Sequence, residues 1–237
     1  MLIFENVTKS FSNRLIVDDL SFKVEDNHIL AILGPSGVGK TTILRIAAGT
    51  VSPDAGKTQS DRQKIGFIFQ EHRLLPWRTA LGNIMLVLKG EKKLAPQERR
   101  QIGMTMLQKM GLKGFEHYYP AQLSGGMRQR VSIARAFVIE PDLLLMDEPF
   151  TGLDLELKAS LQKMLLDLLS WHPTTVIYVT HEPRDAVLMA DEAIVLAGDP
   201  GKITARIKFD CPKEERDQKY IQENTMKLVE QLMTPGV

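Results

Sequence analysis

Apolar and polar positions along this chain fall into two kinds of pattern. Short strand-length runs occupy residues 2–7, 20–24 and 28–33, with Asp26-Asn27 as the turn before the third. They predict a small antiparallel sheet that feeds a central strand. After a Gly-rich segment, residues 42–49 carry apolar side chains at helical spacing and end on Gly49, where a helix would stop. Residues 52–56 read as a turn and 64–69 as a strand ending at Gln70.

From about residue 76 to 139 the β signal fades. Helical periodicity covers 81–88, 96–110 (closed by Gly111) and 126–139, which predicts a helical lobe inserted into an α/β core. The β pattern returns at 143–147, followed by a helix over 154–170 whose Leu157, Leu161, Leu165 and Leu168 share a face. Another strand, 175–180, ends at His181. Residues 193–197, the turn 198–201 and a strand at 202–209 then lead into a polar terminal helix. Strands alternating with helices predict an α/β fold with a mainly parallel sheet flanked by helices, whose ligands sit at the carboxyl ends of the strands. Asp147 and His181 both fall at such ends.

Composition narrows this picture only slightly. In 237 residues, 30 Lys and Arg nearly balance 29 Asp and Glu, so no global field favours nucleic acid. The basic pairs Lys92-Lys93 and Arg99-Arg100 read as solvated helix faces. Wholly apolar runs such as 29–33 and 143–146 fall far short of the roughly 18 residues that span a bilayer. No basic and apolar leader precedes the first strand, and the single Cys211 fits a reducing compartment, so a cytosolic location is expected. Cys211 itself is assigned no function.

The candidate chemistry begins in the Gly-rich segment Gly34-Pro35-Ser36-Gly37-Val38-Gly39-Lys40-Thr41-Thr42. Strand, Gly-rich loop and helix form the setting of a phosphate-binding loop. Its main-chain N–H groups wrap phosphate, Lys40 reaches the β and γ phosphates, and Thr41 holds Mg²⁺. The apolar run 143–146 places Asp147 beside that metal, with Glu148 next to it to polarise an attacking water. A second run, Leu123-Ser124-Gly125-Gly126-Met127-Arg128-Gln129, opens a helix and supplies another cradle of backbone N–H groups. Two cradles that do not fold onto one nucleotide suggest a dimer that shares its nucleotides.

With these motifs the chain resembles the ATP-binding subunits of ABC transporters, through almost its whole length. The resemblance implies a P-loop NTPase fold of the RecA-like kind. It makes residues 1–237 a single ATPase domain, with a core at 1–75 and 140–210, a helical subdomain at 76–139 and a short helical tail at 211–237. By resemblance, residues 123–129 are the signature motif, Gln70 the Q-loop glutamine and Mg²⁺ ligand, Gly152-Leu153-Asp154 the D-loop, and His181 the switch histidine. Phe11 matches the aromatic that stacks on adenine, although a lone aromatic of this kind is more often part of a core. Ser124, Gly125, Gly126, Gln129 and Asp154 are expected at a nucleotide shared by two antiparallel protomers. The implied cofactors are ATP and Mg²⁺, with Glu148 as base and His181 orienting the site.

The stretch His72-Arg73-Leu74-Leu75-Pro76-Trp77-Arg78-Thr79-Ala80-Leu81-Gly82-Asn83 resembles importer ATPases of the nitrate, sulfonate and taurine group, as does Asp147-Glu148-Pro149-Phe150-Thr151-Gly152-Leu153-Asp154. Thr151-Gly152 departs from the Ser-Ala more usual there. The resemblance therefore implies a peripheral subunit on the cytoplasmic face of the membrane. Its partners would be a transmembrane permease, a second copy of itself and, indirectly, an extracytoplasmic solute-binding protein. An exporter or lipoprotein-release ATPase and a soluble ABC ATPase are the alternatives. Trp77 has two readings, an anchor for the permease or a plain buried aromatic of the helical lobe.

Overall fold

The computed structural model describes residues 1–91 and 94–233. The pair Lys92-Lys93 lies outside the described residues, as does the end of the expected tail. The chain divides into two compact units. The first holds Met1–Arg62, Leu145–Glu148 and the residues from Thr174 onward, and the second holds Gln63–Leu144 and Pro149–Pro173.

In the first unit, β1 (Leu2–Phe11) lies between β2 (Arg14–Val24) and β4 (Ala55–Ser60) in an antiparallel sheet. Strand β1 runs further than the pattern at 2–7 indicates, because register shifts after Phe4 and Val7 break its alternation. Strand β4 overlaps the end of the turn read at 52–56 and continues through 57–60, where the sequence pattern predicts no element. Its sequence Ala-Gly-Lys-Thr-Gln-Ser has no large apolar side chain and lies mostly exposed at the sheet edge, so period-2 patterning has nothing to mark.

Four strands of the first unit lie side by side in a second sheet. Within the first unit, β3 (Ile29–Leu33) pairs in parallel with β7 (Thr175–Val179) and β8 (Glu192–Ala197), and β9 (Lys202–Lys208) closes the edge antiparallel to β8. Every residue of β3 and β7 is buried. Such strands read as continuous apolar runs because helices cover both faces. The Gly-rich loop joins β3 to α1 (Lys40–Ala47), which is capped by Ala48 and followed by Gly49 at φ +67°. Helix α6 (Pro183–Met189), seven residues opened by a proline, was too short to carry a visible period. Helix α7 (Gln218–Met233) forms the polar terminal helix.

The second unit contains β5 (Ile65–Ile68), the first residues of β6 (Leu143–Asp147), and helices α2 (Ala80–Leu88), α3 (Pro96–Lys109), α4 (Gly125–Phe137) and α5 (Leu155–Trp171). Side chains fix the helix starts. Thr79 accepts from Gly82 N–H, Ser124 from Met127 N–H and Asp154 from Leu157 N–H, each satisfying a donor that the first turn leaves free. Leu161, Leu165 and Leu168 of α5 are buried as their spacing predicts. Each such side chain contributes about 1.5–3 kcal/mol relative to exposure.

Candidate active site

The first unit brings most of the expected nucleotide residues together. A cleft of about 410 Å³ is lined by Phe11, Ile16, Ser36, Gly37, Gly39, Lys40, Thr41, Thr42, Arg45 and Glu148. Its floor is the turn from β3 into α1, so the free N–H groups and positive dipole end of α1 face it. Gly39, at φ +107°, could not be replaced cheaply: a Cβ there would lie 2.4 Å from Val17 Cγ1 of β2. Val38 is buried, and its N–H donates to Pro35 O at 3.4 Å.

Lys40 is only 6 % exposed and donates to the carbonyls of Gly34 (2.7 Å) and Pro35 (2.9 Å). Burial pushes its pKa below the ordinary lysine value, while the Glu148 and Asp147 carboxylates pull it back up. Thr41 Oγ1 donates to Asp147 Oδ2 at 3.1 Å, which joins the start of α1 to the end of β6.

Glu148, the residue after β6, adopts φ +46°, a conformation costly for a residue with a Cβ. Its N–H donates to Val179 O of β7 at 3.0 Å, which helps hold that backbone. His181 follows β7, and its Nδ1 lies 2.9 Å from Glu148 Oε2. An ionised carboxylate only accepts, so this bond then puts the proton on Nδ1. Phe11 is 41 % exposed at the mouth of the cleft, with Lys9 Nζ 5.3 Å from its ring centre. It is not a core aromatic.

Among the described residues, no group of three or more His, Cys, Asp or Glu could hold a metal ion. The Thr41 hydroxyl and Asp147 carboxylate are nonetheless a fitting pair for Mg²⁺, which keeps waters and takes further oxygens from substrate phosphates rather than from an all-protein cage.

Gln70, Ser124, Gly125, Gly126, Gln129 and Asp154 belong to the second unit. Gln70 is exposed just beyond β5, and Ser124 is exposed at the start of α4. Gly126 lets α4 approach α5, since a Cβ there would come within 2.9 Å of Leu157. Gln129 departs from expectation. It is wholly buried, and its Nε2 donates to Pro149 O at 2.6 Å, so it presents no surface to a nucleotide. Trp77 is 70 % exposed, which removes its reading as a buried aromatic. Sequence reasoning missed Ile16 and Arg45 in the cleft. Arg45 could have been found, because it stands four residues after Thr41 and therefore on the same helix face.

The pattern that describes the ABC transporter family matches residues 17–151. An uncharacterised ABC transporter ATP-binding protein of Methanocaldococcus jannaschii is 42% identical, with 92% of this chain and 85% of that protein covered. A taurine import ATP-binding protein of Yersinia pestis is 37% identical over 89% of this chain and 85% of its own length. An aliphatic sulfonates import ATP-binding protein of Bacillus cereus is 34% identical over 98% and 96%. Among solved structures, a dimeric ATP-binding cassette in a post-hydrolysis state, bound to ADP and inorganic phosphate, superposes with a TM-score of 0.79 at 30% identity. That match covers 90% of this chain and 100% of the other.

Proposed function

The chain belongs to the ABC transporter family, and on that premise we propose that it is the ATP-hydrolysing subunit of an importer for a small solute of the nitrate, sulfonate and taurine kind. The observation that carries the ATPase chemistry is the bond between His181 Nδ1 and Glu148 Oε2 beside the Lys40 cleft. Glu148 accepts a proton from the attacking water, and His181 fixes the direction in which its carboxylate points. Lys40 and the N–H groups of the loop take up the charge that builds on the terminal phosphate, in the positioning and electrostatic role that phosphoryl transfer requires. Thr41, Asp147 and Gln70 would hold Mg²⁺, which when bound neutralises charge on the phosphate oxygens. Phe11 would stack on the base.

Ser124, Gly125, Gly126 and Asp154 would act at the nucleotide of a second copy, so that ATP closes the dimer and hydrolysis reopens it. In this reading both units form one cassette that works on the cytoplasmic face of a membrane. Among the described residues no helix is long and apolar enough to cross that membrane, in keeping with a separate permease. The names of the taurine and sulfonate relatives support the import reading and its solute class.

Purification of the Glu148→Gln chain with ATP from gently solubilised membranes of its host tests the role. A polytopic membrane protein is expected to co-purify, together with a solute-binding protein whose ligand can be screened. Recovery in the cytosol with nucleic acid or ribosomal partners would overturn the importer reading and leave the ATPase chemistry standing.

A further inference from the structure

Arg135 of α4 is half-buried, and its fork of donors is spent on backbone. Nη1 donates to Arg73 O at 2.6 Å and Nη2 to His72 O at 2.9 Å. Burial pushes its pKa down, and no neighbouring charge opposes that shift. A half-buried charge that has no acidic partner among the described residues is a weak source of stability, which leaves room for another role. The segment it grips is strained, because Arg73 adopts φ +45°. The same segment is closed on itself. The Arg73 guanidinium lies 4.1 Å from the ring centre of Phe69, and Gln70 sits between those two residues in sequence. Asn83 holds the next stretch, accepting from Leu75 N–H at 2.7 Å.

We infer that Arg135 is a positioning residue for Gln70: its bidentate hold on the carbonyls of His72 and Arg73 fixes the 69–73 loop to the helix that begins at Ser124. A displacement of that loop is thereby passed to α4, and one of α4 to the loop. The inference rests on the reading of Gln70 given above. It assigns Arg135 no contact with nucleotide.

The test compares the purified chain with Arg135→Met, Arg135→Lys, Gln70→Ala and the Gln70→Ala/Arg135→Met double variant. The readouts are steady-state ATP hydrolysis, thermal melting and amide hydrogen exchange over residues 69–75. Arg135→Met should melt close to the parent, because it replaces a half-buried charge that pairs with no acid among the described residues by an apolar chain of similar length. It should lower kcat about tenfold with KM for ATP nearly unchanged, within the range seen for residues that couple without touching ligand. Exchange over 69–75 should accelerate. Arg135→Lys keeps the charge but not the fork, so it should show the same loosening to a smaller degree. In the Gln70→Ala background the Met substitution should cost nothing further.

Normal kcat and exchange in Arg135→Met would overturn the inference, as would a full additional loss in the double variant. If Arg135→Met does not fold, Arg135→Lys decides on the same criteria, and an unchanged Lys variant overturns it. Normal turnover by Gln70→Ala would remove the reading of Gln70 and this inference with it. Slow turnover by Gln70→Ala alongside a normal Arg135→Met would remove only the inference.

Discussion

Glu148 carries both the backbone strain and the hydrogen bond to His181 expected of a group held for proton transfer. Glu148→Gln should keep ATP binding and lose about 10²–10⁴ in kcat, the usual worth of a positioned general base. Single-turnover hydrolysis checks this, and turnover near the parent rate would move the base elsewhere. His181→Ala should lower kcat in the same direction with KM for ATP little altered, because it removes the hydrogen bond that holds the Glu148 carboxylate. Lys40 gives a pH signature. Burial lowers its pKa in the nucleotide-free chain, and bound phosphate would raise it again, so binding draws in a proton at alkaline pH. ATP affinity should therefore fall as pH rises through the pKa of the nucleotide-free chain, below the 10.5 of an ordinary lysine. Dissociation constants measured across alkaline pH would show it, and an affinity independent of pH would contradict it.

Helix starts, more than helix interiors, set where the candidate site residues Ser124 and Asp154 of the second unit lie. Asp154 caps α5 through its bond to Leu157 N–H, and Asp154→Ala should cost about 1 kcal/mol in denaturant unfolding. Elements of this kind were legible in the sequence because two signals agree at each: a capping or Gly residue, and an apolar period of 3.6 or a buried run. Thus β3, the loop and α1 could be read together, as could β6 and the helix after it. Strand β4 and helix α6 were not legible, the one lacking large apolar side chains and the other lacking length. Gln129 shows a different limit. A polar residue one turn into a helix that opens at a phosphate cradle looks like a ligand, and only packing reveals that it faces inward to the carbonyl of Pro149. Arg135 was equally opaque, since its partners are main-chain carbonyls more than sixty residues earlier and leave no mark on side-chain spacing.

At the scale of the whole molecule, one copy alone should be insufficient for turnover. On the function proposed above, the cleft residues of the first unit in one copy and the Ser124 cradle of the second copy would together bind each nucleotide. Leu155, 85 % exposed beside Asp154, should become protected from solvent when they do so. The most direct measurement is the mass and nucleotide content of Glu148→Gln by size exclusion with light scattering, with and without ATP and Mg²⁺, alongside Glu148→Gln/Ser124→Arg. The account predicts an ATP-dependent dimer that retains two nucleotides and is lost when Ser124 becomes Arg. A chain that binds ATP tightly yet stays monomeric, or a dimer indifferent to Ser124, would contradict it.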